Sequence, residues 1–222
     1  MNKSDVDASL RLYSDLMEEI KVRLSGIETA RGSARALLSD SILVEFCLLQ
    51  LRMICETIAL ACLVAHGRIS PGTDQKSLLK IWHAEKLMEE LTRIHANFFP
   101  YAGAIEVIGP HPGRVHISHK RDGFLTKDAL LRLYSTCGDL LHRGSVKQLL
   151  KGAKRNVEGS SIDRWRIQIE ELLAVHHIAA SDNLTHWLCI LRHKESGGRT
   201  TTFHAEAPRG AASTAPVSGQ LP

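Results

Sequence analysis

Glu45, Arg52 and Glu56 lie within one apolar stretch, Ser41 to His66, that reads SILVEFCLLQLRMICETIALACLVAH. At 100° per residue the three charges fall within about 40° of one another on a helix. Phe46, Leu43, Ile58, Val44 and Leu48 cover the remaining directions, so the helix reads as buried on all sides. A buried charge is costly unless it is paired, so the stripe has to meet partners inside the protein. His142, with Asp139 beside it at the end of a later helix, brings a group that titrates near neutrality. Arg52, Glu56 and His142 together suit general acid–base work on a phosphodiester, with histidine moving the proton and arginine steadying developing negative charge. The same residues also suit a purely structural role. Glu45, Arg52 and Glu56 would then form a buried polar network that fixes helix register, with His176 and Asn183 as core hydrogen-bonding groups.

A second set is cationic. Arg143, Lys147, Lys151, Lys154 and Arg155 lie in a stretch without acids, and Lys147, Lys151 and Lys154 are spaced to share one helix face. Phosphate backbones would suit that face through counterion release; a solvated helix face is the plain alternative. His111, His116 and His119 invite a metal, but alternation along a strand sends His116 and His119 to opposite faces, and no carboxylate accompanies them at ligand spacing. No metal site is expected. There is no Gly-rich phosphate loop, nucleophile elbow or dinucleotide fingerprint, and no cofactor is expected.

The elements that must position these groups read as helices. Val6, Leu10, Tyr13, Met17, Ile20 and Leu24 alternate spacings of four and three, a seam for packing within the fold or between two copies. Arg31 to Ser33 breaks that helix, and His66, Gly67 and Pro71 end the next. A third helix is expected from about Asp74 to Asn97, with Trp82 and Leu87 inward. Residues 104–119 read as a β-hairpin bent at GPHPG. Thr126 caps a fourth helix through His142, a short basic helix spans Val146 to Lys154, and a long final helix runs from Ser161 to about His193. On that final helix Trp165, Ile169, Leu172, His176, Asn183, Trp187 and Ile190 share one stripe. From Glu195 the rising Gly, Ser, Thr, Ala and Pro content reads as a disordered tail.

The expectation is therefore an all-α bundle of five to six helices with one inserted hairpin. It divides into an N-terminal helix at 1–30, a bundle domain at 34–194 and a tail at 195–222. The chain has 222 residues, a formal charge of +4 and 5% aromatic residues, which permits nucleic acid as a partner and argues against a large base-stacking surface. Five cysteines without a C-x-x-C pair argue against a disulfide framework and a zinc ribbon, and fit a reducing compartment. MNKSDVDASL lacks the pattern of a signal peptide. Three charges interrupt the central apolar helix, each costing ~2.5–3.5 kcal/mol in a bilayer, so no membrane span is expected and the protein reads as cytoplasmic.

The segments LLQLRMICETIALACLVAHG, WHAEKLMEEL ahead of FFPY, and LYSTCGDLLHRGS resemble all-helical proteins of bacteria and their mobile elements. The layout is similar to that of the HEPN superfamily, with residues 40 to 190 covered. Many members of that superfamily are RNA-cutting toxins or defence proteins, and others are inert partners. The resemblance implies a helical module with oligomeric and RNA contacts, in a defence or toxin–antitoxin setting. The superfamily pairs an Arg with a following His near a helix start. Here Arg132 precedes His142 by ten residues, Arg114 and His119 fall in the expected hairpin, and Arg199 and His204 fall in the expected tail, so no catalytic role transfers by motif. Three readings result: an RNA-contacting homodimer joined through the Val6–Leu24 seam, a metal-independent ribonuclease using Arg52, Glu56 and His142, and a structural or antitoxin-like adaptor for a protein partner.

Overall fold

The computed structural model describes residues 3–33, 39–66, 80–81, 83–107, 114–142, 157–179, 185–206 and 219–220. Among these residues there are five α-helices: α1 Lys3–Arg31, α2 Asp40–His66, α3 Ala84–Ile94, α4 Lys127–Leu141 and α5 Gly159–Leu173. Six strands, β1 Tyr101–Val107, β2 Arg114–His119, β3 Val175–Ala179, β4 Thr185–His193, β5 Arg199–Glu206 and β6 Gly219–Gln220, form one sheet in the order β5-β4-β3-β1-β2-β6. Every pairing is antiparallel. The all-α bundle with one hairpin is therefore corrected to a mixed fold, helices packed on an antiparallel sheet in which that hairpin is β1 and β2.

The expected final helix is where the reading fails. Its first half is α5; its second half is β3 and β4. His176 and Ile178 on one face of β3, and His177 and Ala179 on the other, are all buried. A strand covered on both faces is an unbroken apolar run, which matches helical spacing as well as it matches a strand. The expected tail is corrected at its described residues, 195–206 and 219–220. A left-handed pair, Gly197 at φ 66° and Gly198 at φ 81°, turns the chain from β4 into β5, whose Thr200-Thr201-Thr202-Phe203 run favours a strand. Gly197 and Gly198, two of the residues that made the composition look disordered, are hairpin residues.

α2 is the central element. Leu48, Leu51, Ile54, Cys55, Ile58 and Cys62 are buried against α1, α4 and α3. It is not covered on all sides, however. Ile42, Phe46, Leu49 and Leu60 fall on one line and are 39–51% exposed. Apolar residues in every direction cannot by themselves tell which face packs. This is the one described helix long and apolar enough to cross a membrane, and 61% of its apolar window is buried inside the protein.

The α1 seam is filled within the chain. Tyr13, Met17, Ile20 and Leu24 are buried in the shared core, so this face does not remain for a second copy. Polar contacts pin the outer side of α1 to the β4–β5 hairpin. Glu18 accepts the Thr200 N–H at 2.6 Å, and Lys21 Nζ donates to Glu18 at 2.8 Å and to the Gly198 carbonyl at 2.8 Å. Burial raises the Glu18 pKa, but the bonds from Lys21 and Thr200 outweigh it and hold the carboxyl below its usual value.

Elsewhere sequence and structure agree closely. Arg31 ends α1, His66 ends α2, and the Thr126 hydroxyl caps α4 by accepting the Ala129 N–H at 3.2 Å. The third helix is shorter than expected, beginning at Ala84. Trp82 and the expected basic helix at Val146 to Lys154 lie outside the described residues.

Candidate functional site

Arg52 and Glu56 are one turn apart on α2, and the structure joins them to a residue the sequence did not point to, Tyr134 of α4. Arg52 Nη2 donates to Tyr134 Oη at 2.7 Å, its guanidinium carbon stands 4.1 Å from the centre of the Tyr134 ring, and Nε is 3.5 Å from Glu56. The Tyr134 hydroxyl in turn faces the Glu56 carboxylate and the backbone N–H of Ala84, so α2, α4 and the first turn of α3 meet at one oxygen. Burial raises the Tyr134 pKa, so the hydroxyl that accepts from Arg52 stays protonated. Gly138 of α4 lies opposite the guanidinium. A Cβ on Gly138 would stand 2.5 Å from Arg52 Nη1.

Arg52 is 25% and Glu56 22% exposed, so the pair is half-screened rather than sealed. Its guanidinium is directed at protein groups, which makes this cluster a clamp between helices. Cys55 and Cys137 beside it are no nucleophiles: burial raises both thiols, Cys137 to about 12.

The other sequence candidates scatter. Glu45 is exposed and does not join a buried network. His142 is the exposed C-cap of α4, its N–H bonded to the Gly138 carbonyl at 3.1 Å, about 6 Å along the helix from Gly138. His176 sits on β3, fully buried, and not on a helix. Its Nδ1–H donates to the Leu173 carbonyl at 3.0 Å, which leaves Nε2 to accept the Tyr13 hydroxyl at 2.6 Å. Burial lowers this histidine to about 4, so it is neutral and structural. Asn183, Arg143, Lys147, Lys151, Lys154 and Arg155 lie outside the described residues, as does His111.

A second site emerges where the α3–β1 connection, the end of β2 and the start of α4 converge. A cavity of about 280 Å³ opens there, walled by Phe99, Tyr101, Phe124 and His119, with Lys120 and Lys127 at its edge. Lys120 Nζ is held by Glu171 at 2.6 Å. Lys127 Nζ lies 5.7 Å above the Phe98 ring and 3.5 Å from Thr92 Oγ1, with no carboxylate partner among the described residues.

Behind the cavity wall the rings continue across the sheet. Tyr101 pairs directly with His177 of β3, and their rings stack at 5.2 Å. His119 on β2 stands opposite Gly103 of β1, and over that bare backbone its ring reaches His177, two strands away, at 4.8 Å. His177 is 5% exposed with Nδ1 lacking a hydrogen-bond partner. Burial, with His119, His186 and His176 nearby, pushes it down to about 3. The His119 and His177 planes lie within 16° of parallel, so their in-plane lone pairs do not converge on a point. Among the described residues no group of three His, Cys, Asp or Glu is placed to hold a metal ion.

Fold and sites together define a mixed helix-and-sheet protein with an interhelical Arg–Tyr–Glu clamp and, apart from it, a ring-walled cationic cavity. Comparison with protein-family models, with curated proteins and with solved structures finds no match.

Proposed function

We propose that the protein is a cytoplasmic module that binds single-stranded RNA without cutting it, through the cavity at the β1–β2–α4 corner. The observation that carries this reading is the pairing of ring walls with cations at one concave place. Aromatic faces that take bases, beside lysines that take phosphates, are the parts from which single-strand sites are built. Lys120 and Lys127 both line the cavity. The resemblance of LLQLRMICETIALACLVAHG, WHAEKLMEEL ahead of FFPY, and LYSTCGDLLHRGS to HEPN-like proteins adds RNA contact as an expectation. Five free, buried cysteines fit a reducing compartment.

Fluorescence anisotropy with a labelled single-stranded oligoribonucleotide at several salt concentrations tests the reading. Binding should weaken with salt, and Lys127→Ala should lower the slope of log K against log salt by about 0.7. No binding at low salt would sink the proposal. The ribonuclease reading draws on Arg52 and Glu56 beside Tyr134, with the exposed His142 eight residues, about 12 Å, further along α4. It requires discrete cleavage in the presence of a chelator that His142→Ala abolishes without moving the thermal midpoint. Intact RNA at the end of a long incubation is the expected result.

A further inference from the structure

Resting on the RNA reading, we infer that the cavity receives the terminal nucleotide of a strand and recognises its phosphomonoester. Size is the first argument. At about 280 Å³ the cavity lies just below the usual range for small-ligand pockets, which suits one ring-and-phosphate unit.

Shape is the second. Its wall comes from three chain segments, residues 96–102, 119–120 and 124–127, that meet at a corner of the fold. At this volume the cavity holds one nucleotide and not a run of them, which suits the end of a strand.

Charge is the third argument. A phosphomonoester carries between one and two negative charges near neutrality, where an internal diester carries one. Lys127 has no carboxylate partner among the described residues, and Lys120, though paired with Glu171, is at the same edge. The ring wall offers Tyr101 and Phe99 to the base and His119 as a further hydrogen-bonding group. Behind that wall His119 and Tyr101 stack on the buried His177 ring, which does not itself line the cavity, so the wall is held in place by rings.

The experiment compares one oligoribonucleotide sequence in four forms: 5′-phosphorylated, 3′-phosphorylated, hydroxyl at both ends, and circular. Nucleoside monophosphate and the matching nucleoside serve as competitors. One phosphorylated form is expected to bind at least tenfold more tightly than the hydroxyl-ended and circular forms, and the arms tell which end is read. The monophosphate should compete where the nucleoside does not. Lys127→Met, which keeps the apolar stem, should bring that preference to about one with an unchanged thermal midpoint. Equal binding of all four forms would overturn the end-recognition inference and leave RNA binding standing. If the monophosphate binds but no RNA does, the RNA reading fails and the ligand class of the cavity survives. If neither binds, both fall.

Discussion

Arg52→Ala is expected to destabilise the protein by ~2 kcal/mol, lowering the thermal midpoint by roughly 4–8 °C for a chain of this size. The guanidinium is a quarter exposed, so the loss should fall short of that for a sealed ion pair. What is lost is the hydrogen bond to Tyr134 Oη and the charge facing Glu56. Gly138→Ala is expected to do similar harm by another route, because its methyl group would displace Arg52 Nη1. The informative variant is the double one. Once Arg52 is alanine, nothing obstructs a methyl group at 138, and alanine exceeds glycine in helix preference by roughly 0.5–1 kcal/mol. Gly138→Ala should therefore change sign, destabilising the natural protein and stabilising the Arg52→Ala protein. Urea denaturation of the four proteins measures this coupling. Simple additivity would show that the close approach does not govern Gly138.

The second large effect is acid sensitivity well above the carboxylate range. His66 and His176 are lowered to about 4 and His177 to about 3, in each case chiefly by burial. His66 donates Nε2–H to the Phe98 carbonyl at 3.0 Å, and its Nδ1 is buried with no partner to receive a proton's charge. In the unfolded chain these imidazoles titrate near 6.5, so between pH 6.5 and 4 the unfolded state binds more protons than the folded one. Stability is complete above about pH 6.5 and falls as pH drops, by about 2 kcal/mol for each such histidine at pH 5. Glu18 and Asp163, whose pKa values are lowered, add their own loss only at more acidic pH. Denaturation midpoints at pH 7.5, 6.5, 5.5 and 5.0 should decline steeply across the series, and His177→Phe should flatten the decline. A flat profile would mean that these rings protonate in place without cost.

How far the sequence discloses this molecule depends on whether a signal is local. Thr126 as a cap, the breaks at Arg31 and His66, and the antiparallel pairing of β1 with β2 are decided by nearby residues, and they were legible. β3 and β4 were not, because burial on both faces removes the polar alternation that marks a strand. The five-residue VHHIA and nine-residue THWLCILRH, each short and rich in β-branched or aromatic residues, were the available hints. The Arg52–Glu56 pair was legible as an i, i+4 spacing; that it closes on Tyr134, 82 positions away, needs the fold. The histidine pattern suffered the same limit. His119 was weighed against His116, its neighbour in sequence, while its actual companion is His177, reached over Gly103.

All five thiols, at Cys47, Cys55, Cys62, Cys137 and Cys189, lie at 0–1% exposure, distributed over α2, α4 and β4. The intact protein should accordingly be inert to thiol-alkylating reagents, and each cysteine should become reactive only when its own element opens. Mass spectrometry after brief alkylation would then rank the opening of the central helix, α4 and the sheet in order, with no probe introduced. Synchronous labelling of all five would mark a single cooperative unit, and early labelling of Cys189 alone would mark a sheet that loosens before the helices do.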